Sequence, residues 1–165
     1  MRVESTSRSA ALSAKYRRQR LVCGGIVVLI LLVIWGNSLQ SAESSSVIST
    51  GLLARLEAMW LIIFGTGFPV SHHLLRKLGH FTEFFMLGTF ITFAAGLGKS
   101  HFKSFIITLL YSGLWIAMID ETIQYFSPGR SPQVNDILLD HAAFSIGVLL
   151  AYGICRAVMY RSPSR

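Results

Sequence analysis

The chain has 165 residues, of which 52% are hydrophobic and only 14% are charged, and its mean hydropathy is +0.54. Soluble globular domains carry about 25% charged residues, so this composition excludes an ordinary soluble protein and indicates a membrane protein. The net charge of +7 does not indicate a nucleic-acid partner, because the basic residues are spread over loops and tails without interleaved aromatic residues. Cys23 and Cys155 lie in separate apolar segments, so neither a disulfide framework nor a zinc site is expected.

The first long apolar segment follows a polar, basic stretch of twenty residues. Residues 21–42 carry no charge, which is enough for the roughly 20 residues that a membrane-spanning helix needs. We therefore predict a first span over residues 21–39, preceded by a cytoplasmic tail of residues 1–20. A cleavable signal peptide is the alternative, but the apolar segment is longer than is usual for such a peptide and no clear cleavage site follows it.

A second apolar segment, residues 51–70, follows a Ser-rich stretch and shows helical spacing of its apolar side chains. Arg55 and Glu57 interrupt it, and its uncharged part is too short for a span, so we predict a helix at the membrane interface. Three later segments are long and apolar enough to cross the membrane, namely residues 79–97, 104–122 and 136–156. The predicted fold is all-α and polytopic, with four transmembrane helices and an interfacial helix between the first and the second.

The distribution of basic residues predicts how this fold is oriented in a bacterial plasma membrane. Lys and Arg concentrate in the cytoplasmic loops of membrane proteins. With the N-terminus in the cytoplasm, eleven of the fifteen basic residues are cytoplasmic and four are external: Arg55, Arg76, Lys77 and Arg130. We therefore expect both termini in the cytoplasm, with a membrane domain of residues 21–158 and a short tail of residues 159–165.

Five of the eight acidic residues lie within or at the edge of the predicted spans. Ionisable residues are costly inside a membrane, and they usually mark a functional site or pair with one another. In the predicted orientation, all the intramembrane polar residues lie near the outer face, where the second span begins, the third ends and the fourth begins. They are Lys77, His80 and Glu83, then Asp120, Glu121 and Gln124, then Asp136 and Asp140, with Arg130 in the last loop.

On each of these helices, small residues follow the polar residues along the same face, at steps of three and four residues. The resulting stripes are His80, Phe84, Gly88, Thr92 and Gly96; Gly113, Ala117 and Glu121; and Asp136, Asp140, Ala143, Gly147 and Ala151. Small residues at such spacing allow close helix contact in lipid. We therefore predict that the three stripes face one another and that the polar residues converge in one pocket near the outer surface.

Three motifs occur in order in the second half of the chain, RKLGHFTEF at 76–84, DETIQYFSPGRS at 120–131 and DILLD at 136–140. Together they resemble the VanZ-like family of membrane proteins, over residues 76–153. Three positions depart from the family pattern: Phe84 stands where many members have Tyr, Asp140 where Asn is frequent and Ala143 where Gly is common. The family is named for a protein that confers low-level resistance to the glycopeptide teicoplanin, so the resemblance implies a role at the cell envelope but no particular reaction.

The candidate residues suit recognition or modification of an envelope glycan, a peptidoglycan precursor or an anionic membrane lipid. For proton transfer or orientation the candidates are His80, Glu83, Glu121 and Asp136, and for substrate binding they are Lys77, Asp120, Gln124, Arg130 and Asp140. No spacing typical of a metal site occurs, so neither a metal nor a cofactor is expected. The sequence leaves open whether the protein is catalytic and whether it forms oligomers.

Two other classes of function remain open. In a non-catalytic membrane scaffold or resistance factor, the same charges would neutralise one another and hold the helices together. A transporter is less favoured, because four helices without an internal repeat make a small alternating-access unit unless they oligomerise.

Overall fold

The computed structural model describes residues 2–95 and 102–160, and these residues form five helices joined by short connections. The helices are α1 (Arg2–Ser38), α2 (Ala42–Phe64), α3 (His72–Ala95), α4 (Phe102–Phe126) and α5 (Val134–Tyr160). Each contains a segment long and apolar enough to cross a membrane, namely Tyr16–Ser38, Ala42–Phe64, His72–Ala95, Phe105–Phe126 and Val134–Ala157. The prediction of an all-α membrane protein is thus confirmed.

The first two helices begin earlier in the chain than the predicted helices of residues 21–39 and 51–70. The basic stretch before the first span is the beginning of α1, because no Gly or Pro interrupts the chain before Gly24. α2 begins at Ala42, so it includes most of the Ser-rich stretch that precedes the predicted helix of residues 51–70. Ser41 caps this helix by accepting a hydrogen bond from the Ser44 N–H, and α2 ends at Gly65 in the left-handed conformation.

The core lies where α3 packs between α1 and α5, and α4 packs against α5 and, less extensively, against α1. Its fully buried side chains come from all four of these helices and include Ile34, Phe84, Leu87, Ala117, Phe144 and Val148. The predicted close approach of small residues is confirmed for α3 and α5, because a Cβ atom at Gly88 would collide with the Phe144 carbonyl. A Cβ atom at Gly147 would likewise collide with the Phe85 carbonyl. By contrast, none of the residues of α2 is buried.

One end of the bundle holds the polar residues, and we call it the polar end. α1 and α4 end there, whereas α3 and α5 begin there. Asn37 of α1 donates a hydrogen bond to the Glu83 carboxylate of α3 at 2.7 Å, and at the opposite end Arg20 donates to the Ala94 carbonyl at 3.2 Å. The start of α2 belongs to the polar end as well, because the Ala42 N–H donates to the carbonyl of Pro128 in the α4–α5 loop.

Some sequence predictions concern residues outside the described part of the chain. They are the basic loop around Lys99 and His101, the last small residue of the α3 stripe, Gly96, and the C-terminal tail beyond Tyr160.

Candidate functional site

Asp120 is the centre of a buried hydrogen-bond network at the polar end. Its side chain is fully buried near the end of α4. The Ser38 hydroxyl donates to one carboxylate oxygen at 2.5 Å, and the Gln124 amide donates to the other at 2.9 Å. The Ser127 hydroxyl donates to the Ser38 carbonyl at 2.7 Å. These bonds satisfy Asp120 and fasten the end of α1 to the end of α4.

His80 of α3 lies between two buried aspartates. Its Nδ1 atom is 3.9 Å from Asp120 Oδ2 and 3.9 Å from Asp140 Oδ2. Both separations are too long for a hydrogen bond. Within the described part of the chain, neither His80 Nδ1 nor Asp140 Oδ1 has a hydrogen-bond partner. Because the three side chains come from α3, α4 and α5, only the folded bundle brings them together.

A small cavity of about 80 Å³ lies beside His80. At its rim, Lys77 Nζ is 3.3 Å from Asp136 Oδ1, and both side chains of this ion pair are partly exposed. Arg76 and Asp140 also line the cavity. The small cavity is therefore lined by both cationic and acidic side chains, with Lys77 at its rim.

Glu121 belongs to α4, and its carboxylate lies beside the beginning of α5. One of its carboxylate oxygens accepts a hydrogen bond from the Gln133 backbone N–H, just before α5 begins at Val134. The other oxygen is buried and has no hydrogen-bond partner among the described residues. In this position Glu121 fixes where α5 starts.

Arg130 and Glu83 both form a hydrogen bond with Asn37, at the end of α1. The Arg130 guanidinium donates to the Asn37 carbonyl at 3.0 Å, while the Asn37 side chain donates to Glu83. Burial lowers the pKa of Arg130 from its ordinary value, and the positive charge of Arg76 acts in the same direction. Among the described residues, Arg130 Nε has no hydrogen-bond partner. A partly buried guanidinium with a free donor is suited to binding an anion.

A larger cleft of about 510 Å³ lies between α2 and α3, and we call it the α2–α3 cleft. One face of α2 contributes side chains at helical spacing, Ser45, Ile48, Ser49 and Leu52. α3 contributes the apolar Leu75 and Leu78 together with Arg76, His80 and Glu83, and Arg130 and Asn37 complete the lining. The lining thus combines apolar side chains with two arginines.

The structure brings most of the predicted site residues together, but in two adjoining cavities instead of one. His80 lines both cavities. Lys77, Asp136 and Asp140 line the small cavity, and Glu83 and Arg130 line the α2–α3 cleft. Asp120 and Gln124 are buried in the network with Ser38, and Glu121 lies beside the start of α5 and lines neither cavity.

The sequence prediction did not include four residues of the polar end. Asn37, Ser38 and Ser127 hold the network together, and Arg76 lines both cavities. Asn37 and Ser38 were recognisable in principle, because they are the first adjacent polar residues after the uncharged apolar run of the first span. They lie at the same level of the helix bundle as Glu83 and Asp120, to which they are hydrogen-bonded.

Comparison with known proteins gives one match. A family model described as VanZ/LLP1 matches residues 23–158, which is most of the chain and includes both cavities. This match confirms the resemblance drawn from the three motifs. Neither a curated protein nor a solved structure matches the chain.

Proposed function

Since the chain belongs to the VanZ/LLP1 family, we propose that it acts at the cell envelope by binding an anionic lipid headgroup at its polar end. The bound group is a phosphate or pyrophosphate, carried by a phospholipid, a lipid-linked glycan or a peptidoglycan precursor of the bacterial plasma membrane. The observation that supports this proposal best is the α2–α3 cleft, whose lining joins cationic and apolar side chains. The link to glycopeptide resistance that the family name implies is part of the proposal.

The cationic side chains supply the contacts to the headgroup. Arg76 and Arg130 line the α2–α3 cleft, and Lys77 lies next to Arg76 at the rim of the small cavity. Arginine recognises phosphate oxygens with two parallel N–H donors, and such charge-assisted bonds are stronger than neutral ones. Arg130 Nε has no hydrogen-bond partner among residues 2–95 and 102–160, which leaves one such donor available.

The apolar side chains supply the contacts to the hydrocarbon chain. Ile48 and Leu52 of α2 face Leu75 and Leu78 of α3 across the cleft. At the end of α2, Ile62 and Ile63 are 84% and 66% exposed, which suits a helix in contact with lipid.

We also propose that α2 lies along the membrane surface, which leaves four spanning helices. Both ends of α2 are tied to the polar end, because Ala42 contacts Pro128 there and α3 begins there. The 23 residues of α2 form a helix about 34 Å long. The chain from Phe64 to His72 reaches at most about 29 Å. This reach is shorter than a perpendicular α2, which supports an orientation of α2 along the surface.

Cysteine labelling tests this topology in a variant whose two native cysteines are replaced by Ala. We expect Thr66→Cys, just after α2, and Ser131→Cys, in the α4–α5 loop, to react with a membrane-impermeant maleimide on intact spheroplasts. Ala14→Cys, exposed near the start of α1, should react only after permeabilisation. Labelling of Thr66→Cys only after permeabilisation would show that α2 crosses the membrane, and the same result for Ser131→Cys would reverse the predicted orientation.

Photo-crosslinking tests the lipid proposal in nanodiscs. We expect a photoactivatable anionic lipid to label peptides of α2 and α3, and Arg130→Gln to reduce the apparent affinity about ten-fold, the value of one charge-assisted hydrogen bond. Competition with phosphatidylglycerol and with a polyprenyl phosphate distinguishes a phospholipid from a lipid-linked precursor. The matched control is Arg55→Gln, since Arg55 is exposed on α2. Equal labelling by a zwitterionic lipid, or an equal effect of Arg55→Gln, would contradict a specific headgroup site.

The competing proposal is a scaffold in which the buried charges only hold the helices together. The bonds of Asp120 favour this role for that residue, because neutral donors satisfy both of its oxygens. The unpaired atoms of Arg130 and Asp140 favour a ligand, because a purely structural network is normally satisfied within the protein. If the protein is also an enzyme, His80 and Glu83 are the proton-handling candidates that line the α2–α3 cleft.

A further inference from the structure

We propose that His80, Asp120 and Asp140 form a binding site for a divalent transition-metal cation, next to the small cavity. Each residue offers one ligand atom, and the three atoms lie within 4.8 Å of one another. One imidazole nitrogen and two carboxylate oxygens are a donor set that suits Zn²⁺ or Mn²⁺. The sequence shows no metal motif because the three ligands come from three different helices.

We call His80, Asp120 and Asp140 the triad. The distances between their side chains suit a bound cation better than direct hydrogen bonds. His80 Nδ1 is 3.9 Å from an oxygen of each aspartate, which is too long for a hydrogen bond. Bonds of about 2.1 Å to a tetrahedral Zn²⁺ place neighbouring ligand atoms about 3.4 Å apart. Each of the two His80–aspartate distances would therefore shorten by about 0.5 Å around such an ion.

Asp140 is the residue of the triad that a bound cation would stabilise most. Its side chain is only 3% exposed, it lines the small cavity, and its Oδ1 has no hydrogen-bond partner in the described part of the chain. Lys77 pairs with Asp136 and Arg130 donates to Asn37, and in the described part of the chain Asp140 forms no ion pair with Lys or Arg. A buried carboxylate without compensation is strongly destabilising. One divalent cation would balance the two carboxylates of the triad.

Asp120 is already oriented in the way that metal ligands usually are. Its oxygens accept hydrogen bonds from Ser38 and Gln124, which fix the carboxylate without neutralising its charge. Such partners around a metal site set the orientation of the ligands and strengthen metal binding. With three protein ligands, a tetrahedral ion keeps a fourth position for water or a ligand. His80 lines both cavities, so that position is within reach of the cationic side chains that line them.

Metal binding is measured without lipid, so its result is independent of the proposed headgroup site. The full chain, carrying an affinity tag without histidines, is purified in detergent, stripped with a chelator and titrated with Zn²⁺ or Mn²⁺. We expect elemental analysis to give one ion per chain, and the ion to raise the Tm. His80→Gln and Asp140→Asn should each weaken binding about ten-fold or more, since even the loss of a partner outside the ligand set costs 10–100-fold.

His141→Gln is the matched control, because His141 neighbours Asp140 in sequence but lines a separate apolar cavity against α4. This variant should bind the ion as the unchanged chain does. The Tm of each variant without metal separates weaker binding from misfolding. The proposal is overturned if the unchanged chain binds no ion at one per chain, or if Asp140→Asn is folded and retains binding. It is also overturned if His141→Gln loses as much affinity as His80→Gln.

Discussion

Replacing Gly88 with Ala is expected to remove most of the folded protein from the membrane. A Cβ atom at this position would occupy the place of the Phe144 backbone carbonyl, and backbone cannot move aside as a flexible side chain can. Overpacking a core typically costs about 1–3 kcal/mol, occasionally more. Here α3 and α5 would have to separate, so the buried contacts of Phe84 and Phe144 would be lost as well.

The abundance of the protein in membranes and its Tm in detergent measure this effect. Gly79→Ala is the matched control, because Gly79 lies on the same helix and a Cβ atom there would meet no atom within 4 Å. We expect Gly79→Ala to be neutral or stabilising by up to about 1 kcal/mol, since Ala favours the helix. If Gly88→Ala reaches normal abundance and Tm, the close α3–α5 contact described above is wrong.

The features of the fold that follow from periodicity were predictable from the sequence. Stripes of small residues at four-residue steps indicated which faces of α3 and α5 meet, and Gly88 and Gly147 lie at that contact. Uninterrupted apolar segments indicated the long helices. These signals depend only on the order of residues along one helix, so no knowledge of the neighbouring helices was needed.

The features that depend on loops and caps were not predictable in the same way. The start of α2 is set by the Ser41 cap and by the hydrogen bond between Ala42 and Pro128, which joins residues far apart in sequence. This contact places α2 beside α3 and divides the expected single pocket into two cavities. Glu121 was expected in the pocket, but the loop before α5 brings the Gln133 N–H to its carboxylate instead.

Neutralising Asp136 is expected to abolish function while the protein remains folded. Asp136 pairs with Lys77 at the partly exposed rim of the small cavity, and exposed ion pairs contribute only about 0–1 kcal/mol to stability. Asp136→Asn preserves the shape of the side chain but removes its charge. A site that positions an anion or transfers a proton would therefore lose activity with little loss of abundance.

Glu121→Gln is expected to retain both abundance and phenotype, because Glu121 lines neither cavity. The amide oxygen of Gln can still accept the Gln133 N–H, so the start of α5 is retained. Asp120→Ala gives the contrasting result, because it leaves Ser38 and Gln124 buried without their acceptor. Each buried donor left unsatisfied costs about 1–3 kcal/mol, so we expect the abundance of this variant to fall sharply.

The most direct test of a functional polar end compares phenotype with the amount of folded protein in the same membranes. The phenotype is the glycopeptide susceptibility and the envelope lipid and glycan profile of a bacterial host that produces each variant. We predict that Asp136→Asn and Arg130→Gln, whose side chains line the two cavities, lose the phenotype at normal abundance and Tm. If the phenotype instead falls only in step with abundance, or stays normal in both variants, the polar end is a structural network and the proposed function is wrong.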